Sequence, residues 1–298
     1  MREKSGLTQP EGDAVPPTSN PTLRQRRFGA ELRKLRERAG LTATGAAALL
    51  GVNQARVSMI ETGRTPISAD KLRAMAHAYD CSDESLVESL AAMTGRRTRG
   101  WWEEYRDHVP VALVDLAELE HHATGLRVAL TINIPALLQT ADHARALFRG
   151  VVPPMRQYEI EHRLTHRMKR QAILHRDDPP PYRAIIHEAA LRMGFGGPEV
   201  TRGQLEHLAE TSELPHVDVR IVPFGTDSFP TTGQSFDYLE GPVPQLDTVQ
   251  LDSCHGACEF LDAEAQLAKY RAVLDHLESC ALTQPQSRDF LHRMAQDI

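Results

Sequence analysis

The chain has 298 residues, of which 41% are hydrophobic and 25% charged, and carries a net charge of −6. That length fits about two domains, and the apolar content excludes a chain disordered throughout. No apolar run approaches the ~18 residues of a membrane span, and the first twenty residues carry Glu11 and Asp13 with no apolar stretch, unlike a secretory leader, so a cytoplasmic protein with no membrane partner is expected.

Residues 1–21 are rich in Pro, Gly, Ser and Thr and are expected to form a disordered tail. Order is expected to begin between Thr22 and Arg27, and five short helices follow within 22–95. The first spans about Phe28–Ala39, with Phe28, Leu32 and Leu35 on one face and Gly40 as its stop. Thr42 caps a second, Ala43–Leu50, which ends at Gly51. Asn53 caps a third, Gln54–Thr62, which ends at Gly63. Ser68 caps a fourth, Ala69–Tyr79, and Asp83 caps a fifth, Glu84–Met93.

Charge is unevenly placed. Residues 21–80 hold eleven Arg and Lys against five acids, a local +6 that leaves −12 for the rest of the chain. A basic segment on an acidic chain points to a polyanion as the partner of that segment.

Residues 41–64 read LTATGAAALLGVNQARVSMIETGR. Two short helices meet at a tight turn containing Gly51, small residues at Ala46, Ala47 and Ala48 allow close approach, and Leu50, Val52, Val57 and Ile60 supply a core. Gln54, Ala55, Arg56, Ser58 and Met59 are left on the other faces of the third helix, whose first turn can enter a major groove ~12 Å wide.

The segment resembles the five-helix phage-repressor (Cro/C1, Xre) class of helix-turn-helix domains. The resemblance is carried by Gly51-Val52-Asn53-Gln54, Val57 and Ile60-Glu61-Thr62-Gly63-Arg64. It implies base contacts from Gln54, Ala55 and Met59, with Gln54 pairing to adenine and the other two meeting thymine methyls. Phosphate contacts are implied for Thr42, Asn53, Arg56, Ser58, Thr62 and Arg64. Ala43 stands where the class often has a Gln, which removes one phosphate contact.

A polar, basic stretch, GRRTRG, makes 96–100 the expected linker to a second domain over 101–298. Helical patterns fall at about 101–123, 135–149, 155–175, 188–193, 198–212, 262–281 and 285–296. Strand patterns fall at Arg127–Ile132, Tyr182–Ile186, Val217–Val222, Ser235–Leu239 and Thr248–Leu251. The expected fold is therefore a mainly α five-helix domain followed by a larger α+β domain. The Trp101–Tyr105 block is expected to dock against a core. Arg163, Arg167 and Arg170 share one helix face, read as solvated and salt-bridged, with an anion site as the alternative. Glu188 opens a helix and is read as structural, with a ligand-pocket role second.

This second region resembles the C-terminal domain of actinobacterial helix-turn-helix regulators of the WhiJ type, sometimes described as antitoxin-like. The resemblance rests on WWEEYRD at 101–107, IPALLQTADHARA at 134–146, HEAALR at 187–192 and Val222-Pro223-Phe224. It implies a small acidic partner protein; a homodimer on double-stranded DNA is expected from the helix-turn-helix domain, which reads half-sites about one turn apart.

The four cysteines, Cys81, Cys254, Cys258 and Cys280, do not form a secreted disulfide framework. Cys254, His255 and Cys258 offer a zinc reading, but the spacing is not that of a zinc knuckle, and ordinary thiols are the expectation. No phosphate-cradling loop, nucleophile elbow or HExxH motif is found. No enzyme and no cofactor are expected. The functional expectation is a sequence-specific transcription regulator controlled through its C-terminal domain by a partner or ligand. The alternatives are an antitoxin-like protein that sequesters a small partner, and a ligand sensor with a pocket in 101–298.

Overall fold

The structure, a computed structural model, describes residues 20–95, 100–227, 229–230, 234–253 and 258–298. Five helices form the N-terminal region: α1 (Leu23–Arg38), α2 (Ala43–Leu49), α3 (Gln54–Glu61), α4 (Ala69–Ala78) and α5 (Glu84–Ala92). α1 starts five residues before the apolar pattern does. Its cap is polar: the Thr22 hydroxyl accepts from the Gln25 N–H at 3.3 Å while Gln25 Oε1 accepts from the Thr22 N–H at 2.9 Å. Thr42, Asn53, Ser68 and Asp83 cap the other four helices through their side chains.

Leu32, Val57, Ile60, Leu72, Leu86 and Leu90 are buried at the centre of this bundle. Each contributes about 1.5–3 kcal/mol of apolar burial. Gly29 sets the crossing of α1 and α3, since a Cβ there would lie 2.4 Å from the Glu61 carbonyl oxygen.

The second region contains α6 (Val111–His122), α7 (Ala141–Arg149), α8 (Gln157–Arg170), α9 (Glu188–Arg192), α10 (Pro198–Thr211), α11 (Glu264–Cys280) and α12 (Gln284–Gln296). Its strands are β1 (Gly125–Leu130), β2 (Tyr182–His187), β3 (Val217–Val222), β4 (Phe236–Glu240), β5 (Thr248–Asp252) and β6 (Cys258–Leu261). They form one sheet in the order β3-β2-β1-β4-β5-β6. β1, β2 and β3 are parallel, and β4, β5 and β6 continue antiparallel from β1. The expected α+β architecture is therefore present.

Several details depart from the sequence pattern, among them the helix expected over 135–149, which is a 3-10 turn, Ala136–Leu138, followed by α7. The helix expected over 101–123 is broken: Trp101–Tyr105 is a short 3-10 turn and Pro110 caps α6, because proline cannot donate within a helix. β6 was not expected, since Cys-Glu-Phe-Leu is short and its periodicity weak.

Both faces of the parallel half are covered. Val128, Ala184, Ile186, Val219 and Ile221 belong to the core shared with α10 and α12. Ala129, Ile185, Val222, Tyr238 and Val249 pack beneath α11. Double coverage explains why three consecutive residues, Ala184–Ile186, are all buried.

The two regions touch through α1 and the start of α5. Arg27 is 4% exposed and reaches Asp262 at 2.7 Å, the Gln245 carbonyl at 3.0 Å and the Asp247 carbonyl at 2.9 Å. Arg26 pairs with Asp115 at 3.3 Å, and Arg38 pairs with Glu264. Gln245 donates to Asp83 at 3.0 Å.

Candidate nucleic-acid interface

α2 and α3 meet around Gly51, which takes the left-handed conformation at φ +65°. A Cβ would be strained there whatever the space, so glycine serves the turn. Val57 and Ile60 of α3 point into the bundle and are fully buried. Helical periodicity then leaves Gln54, Ala55, Arg56 and Met59 to solvent, while Glu61 turns in to meet Arg36. Of the nine residues expected to contact DNA, Thr42, Asn53, Gln54, Ala55, Arg56, Met59, Thr62 and Arg64 are exposed and Ser58 is half-buried.

Their hydrogen bonds define what each has left to offer. Asn53 Oδ1 accepts from the Arg56 N–H at 2.8 Å, so only its amide N–H groups remain for a ligand. Thr42 Oγ1 accepts from the Gly45 N–H at 3.0 Å and keeps its own hydrogen to donate. Gln54 Nε2 donates one hydrogen to Ser58 Oγ at 3.1 Å, leaving a second hydrogen and the amide oxygen. Thr62 spends its hydroxyl hydrogen on the Ser58 carbonyl at 2.9 Å, so phosphate contact there requires that bond to be given up. Leu49, at the end of α2, is 55% exposed and was not singled out in the sequence. An exposed apolar residue carries no local signal of function.

Apart from Arg24, which is half-buried near Glu118, the basic segment divides into two groups. Arg27 and Arg36 are buried against carboxylates, and Arg26, Arg33, Lys34, Arg38 and Arg73 are also ion-paired. Arg56, Arg64 and Lys71 have no carboxylate partner among the described residues. The positive charge of α1 is thus largely neutralised, by the acidic region at Arg26, Arg27 and Arg38 and by carboxylates of α1 and α3 at Arg33, Lys34 and Arg36. Cations without a carboxylate partner among the described residues are found on α3, just after it and at the start of α4.

In the C-terminal region two of the three arginines on the shared face of α8, Arg167 and Arg170, turn inward, while Arg163 is half-exposed. Arg170 is 4% exposed, and its Nε and Nη2 donate to Glu120 at 2.8 and 2.6 Å. Arg167 donates to Gln139 Oε1 at 2.7 Å and lies over the Phe148 ring at 4.4 Å. Burial, with Arg170 nearby, draws Arg167 down to about 9, which leaves it protonated at neutral pH. For Arg170 the salt-bridged part of the expectation holds but the solvated part fails, because its partner, Glu120, lies fifty residues away on α6 rather than on the same helix.

Asp237 faces the same polar interior from β4. Burial, then the Asp252 and Glu120 carboxylates, push it up to about 7 against the opposing Arg170 and Arg167. The native state therefore holds this proton more tightly than the unfolded chain. Its contribution is complete below pH ~4 and is lost as pH rises through about 7. Asp237→Asn is expected to stabilise the protein by about 1–3 kcal/mol at pH 8. Urea denaturation should show the gap closing as pH falls to ~4.

The aromatic block docks as expected. Trp102 is buried beside His121 at 4.9 Å, and Trp101 and Tyr105 flank His166 at 5.6 and 5.1 Å. Glu188 holds Arg192 at 2.6 Å and accepts from the Phe224 N–H at 2.8 Å, which ties α9 to the end of β3. Cys258 opens β6, and its thiol, donating to Asp252 at 3.7 Å, is pushed up to about 12 by burial and by that carboxylate. A thiol so held is a poor nucleophile and a poor metal ligand. Cys254 and His255 lie outside the described residues, among which no cluster of three metal-ligating side chains occurs. Also among them, no helix is long and apolar enough to cross a membrane.

Comparison with known proteins agrees with this division of the chain. Residues 27–90 match a family model described as a helix-turn-helix domain. Residues 113–293 match one described as a domain of unknown function, DUF5753. No curated protein and no solved structure matches the chain. Since the second match spans more than half of its length, the chain belongs to the DUF5753 family, with a helix-turn-helix domain preceding that domain.

Proposed function

We propose that the chain is a sequence-specific transcription regulator that places α3 in the DNA major groove. The observation that carries this reading is the exposed face of α3, where Gln54, Ala55, Arg56 and Met59 stand clear of the bundle and Arg56 and Arg64 lack carboxylate partners among the described residues. Gln54 presents both an amide hydrogen and an oxygen to adenine, while Ala55 and Met59 meet thymine methyls. Thr42, Asn53, Arg56, Ser58, Thr62 and Arg64 contact phosphates and set the register. With one strong hydrogen-bonding base reader, specificity also draws on DNA shape and on the spacing of half-sites about one turn apart, read by a homodimer. The working place of such a protein is the cytoplasm, on the nucleoid when bound.

Control enters through the C-terminal region, by a ligand or by a small acidic partner protein as in the WhiJ-like regulators that the chain resembles. The support is the grip of that region on α1 through Arg27, Lys34 and Arg38. A partner or ligand changes DNA affinity only if it favours one arrangement of this contact over another.

The test is a gel-shift titration on a selected operator at several salt concentrations. Arg56→Ala is expected to weaken binding to all sequences and reduce the salt slope by about one, whereas Gln54→Ala mainly relaxes specificity at one position. Unchanged affinity and slope for both variants would rule out this placement of α3.

A further inference from the structure

A cavity of about 360 Å³ lies on the α11 side of the sheet, within the range of about 300–1,000 Å³ usual for small-molecule sites. It sits at the carboxyl ends of the parallel strands, where Ala129 of β1, Ile185 and His187 of β2 and Val222 of β3 meet the start of β4 at Phe236. Open α/β sheets place ligands at that edge. α11 closes the cavity with Lys269, Tyr270, Val273 and Leu277.

The walls are mainly apolar, and the polar side chains along them are His187, Lys269, two amides and the hydroxyls of Thr131 and Tyr270. His187 Nδ1 accepts from the Ala189 N–H at 3.2 Å, capping α9, so the hydrogen of the neutral ring is on Nε2. Burial lowers the His187 pKa and favours that neutral form. The ring is held against Phe224 and Phe229 at 5.2 and 4.7 Å, and its Nε2–H has no acceptor among the described residues. Lys269 stands exposed at the rim with no carboxylate within ion-pair distance among the described residues. Among the described residues, no Asp or Glu lines the cavity. An apolar body with an anionic head matches both features: the body fills the walls and the head meets Lys269 and the His187 donor.

The helix that closes the cavity also holds the helix-turn-helix region. Glu264, in the first turn of α11, pairs with Arg38 of α1, and Asp262 just before it pairs with Arg27 at 2.7 Å. Arg271, two residues from Lys269, bonds Asp247 at 3.1 Å, whose carbonyl accepts from Arg27. We propose that this cavity is an effector site for a small amphipathic organic acid, and that α11 carries its occupancy to α1 and so to the DNA-binding helices. The proposal rests on the reading that the C-terminal region controls the helix-turn-helix domain.

The test needs no DNA, so its failure is distinct from failure to bind an operator. The full chain is titrated with anilinonaphthalene sulfonate, an aromatic anion, and with phenylnaphthylamine, its neutral parent, following dye fluorescence. Saturable binding at one site is expected. Lys269→Ala should weaken the anion about threefold to tenfold and leave the neutral dye within about twofold. Val273→Trp should block both dyes in a protein that still melts cooperatively. Gln266→Trp, on the exposed rim, serves the same purpose if that variant does not fold. Hydrogen exchange with saturating anion should change in α1 as well as in α11. Absence of saturable binding, or wild-type binding by a folded Trp variant, overturns the site. An unaltered anion affinity in Lys269→Ala overturns the ligand class, and exchange changes confined to the cavity overturn the transmission.

Discussion

Glu120→Ala is expected to destabilise the C-terminal region by about 3–5 kcal/mol, the usual cost of removing one partner from a buried ion pair. Both Glu120 and Arg170 are 4% exposed, and the two-pronged bond between them joins α6 to α8. Alanine leaves a guanidinium in the interior, and guanidinium does not escape by losing its proton. Much of the loss is thus the cost of an uncompensated charge rather than the worth of the pair. Glu120→Leu combined with Arg170→Met should therefore recover most of the stability, because the volume is kept and no charge is stranded. Urea denaturation of the wild type, both single variants and the double variant measures this directly. The exposed Arg33–Glu37 pair at 2.7 Å provides the contrast, with an expected cost below about 1 kcal/mol. Single variants as stable as the wild type would show that water reaches this interior.

A similar loss is expected at Arg36, with a different consequence. Its Nε and Nη2 donate to Glu61 at 2.6 and 3.0 Å, and its Nη1 donates to the Leu41 carbonyl at 2.6 Å. One side chain thus fastens α1 to the last turn of α3 and to the loop before α2. Arg36→Ala strands the Glu61 carboxylate at a buried helix end, at about 3–5 kcal/mol, a large share of the 5–15 kcal/mol that holds a domain together. DNA binding should be lost with the order of α3, although Arg36 touches no DNA. Arg36→Lys should rescue little, since an ammonium cannot reproduce the planar fork. Circular dichroism melts and gel shifts at 10 and ~37 °C separate the two effects: binding that returns on cooling marks lost stability rather than a lost contact.

These two arginines mark where sequence reading stops. Caps and stop glycines are local, so Thr42, Asn53, Ser68, Asp83, Gly40, Gly51 and Gly63 were legible as the punctuation of five helices. The candidate contact residues on α3 were legible for the same reason, because burial of Val57 and Ile60 fixes which face is left. Pairing partners are not local. Arg36 meets a carboxylate 25 residues on, Arg170 one 50 residues back, and Arg27 binds a carbonyl 220 residues away. The basic composition of 21–80 read as phosphate-seeking, yet on α1 Arg26, Arg27 and Arg38 hold the acidic region and Arg33, Lys34 and Arg36 are paired to carboxylates of α1 and α3. The cavity was illegible altogether, since β1, β2, β3, β4 and α11 each contribute only a few positions to it. β6 was hidden because four residues carry too little periodicity to stand out.

The central claim, that α3 reads double-stranded DNA in sequence-specific fashion, is tested most directly by genome-wide footprinting of the tagged full-length protein beside its Arg56→Ala, Arg64→Ala variant. The expected result is a limited set of enriched sites sharing a repeated half-site at one-turn spacing, lost in the variant while the protein remains folded. No enriched sites for the wild type, or the same sites retained by the folded variant, would contradict it.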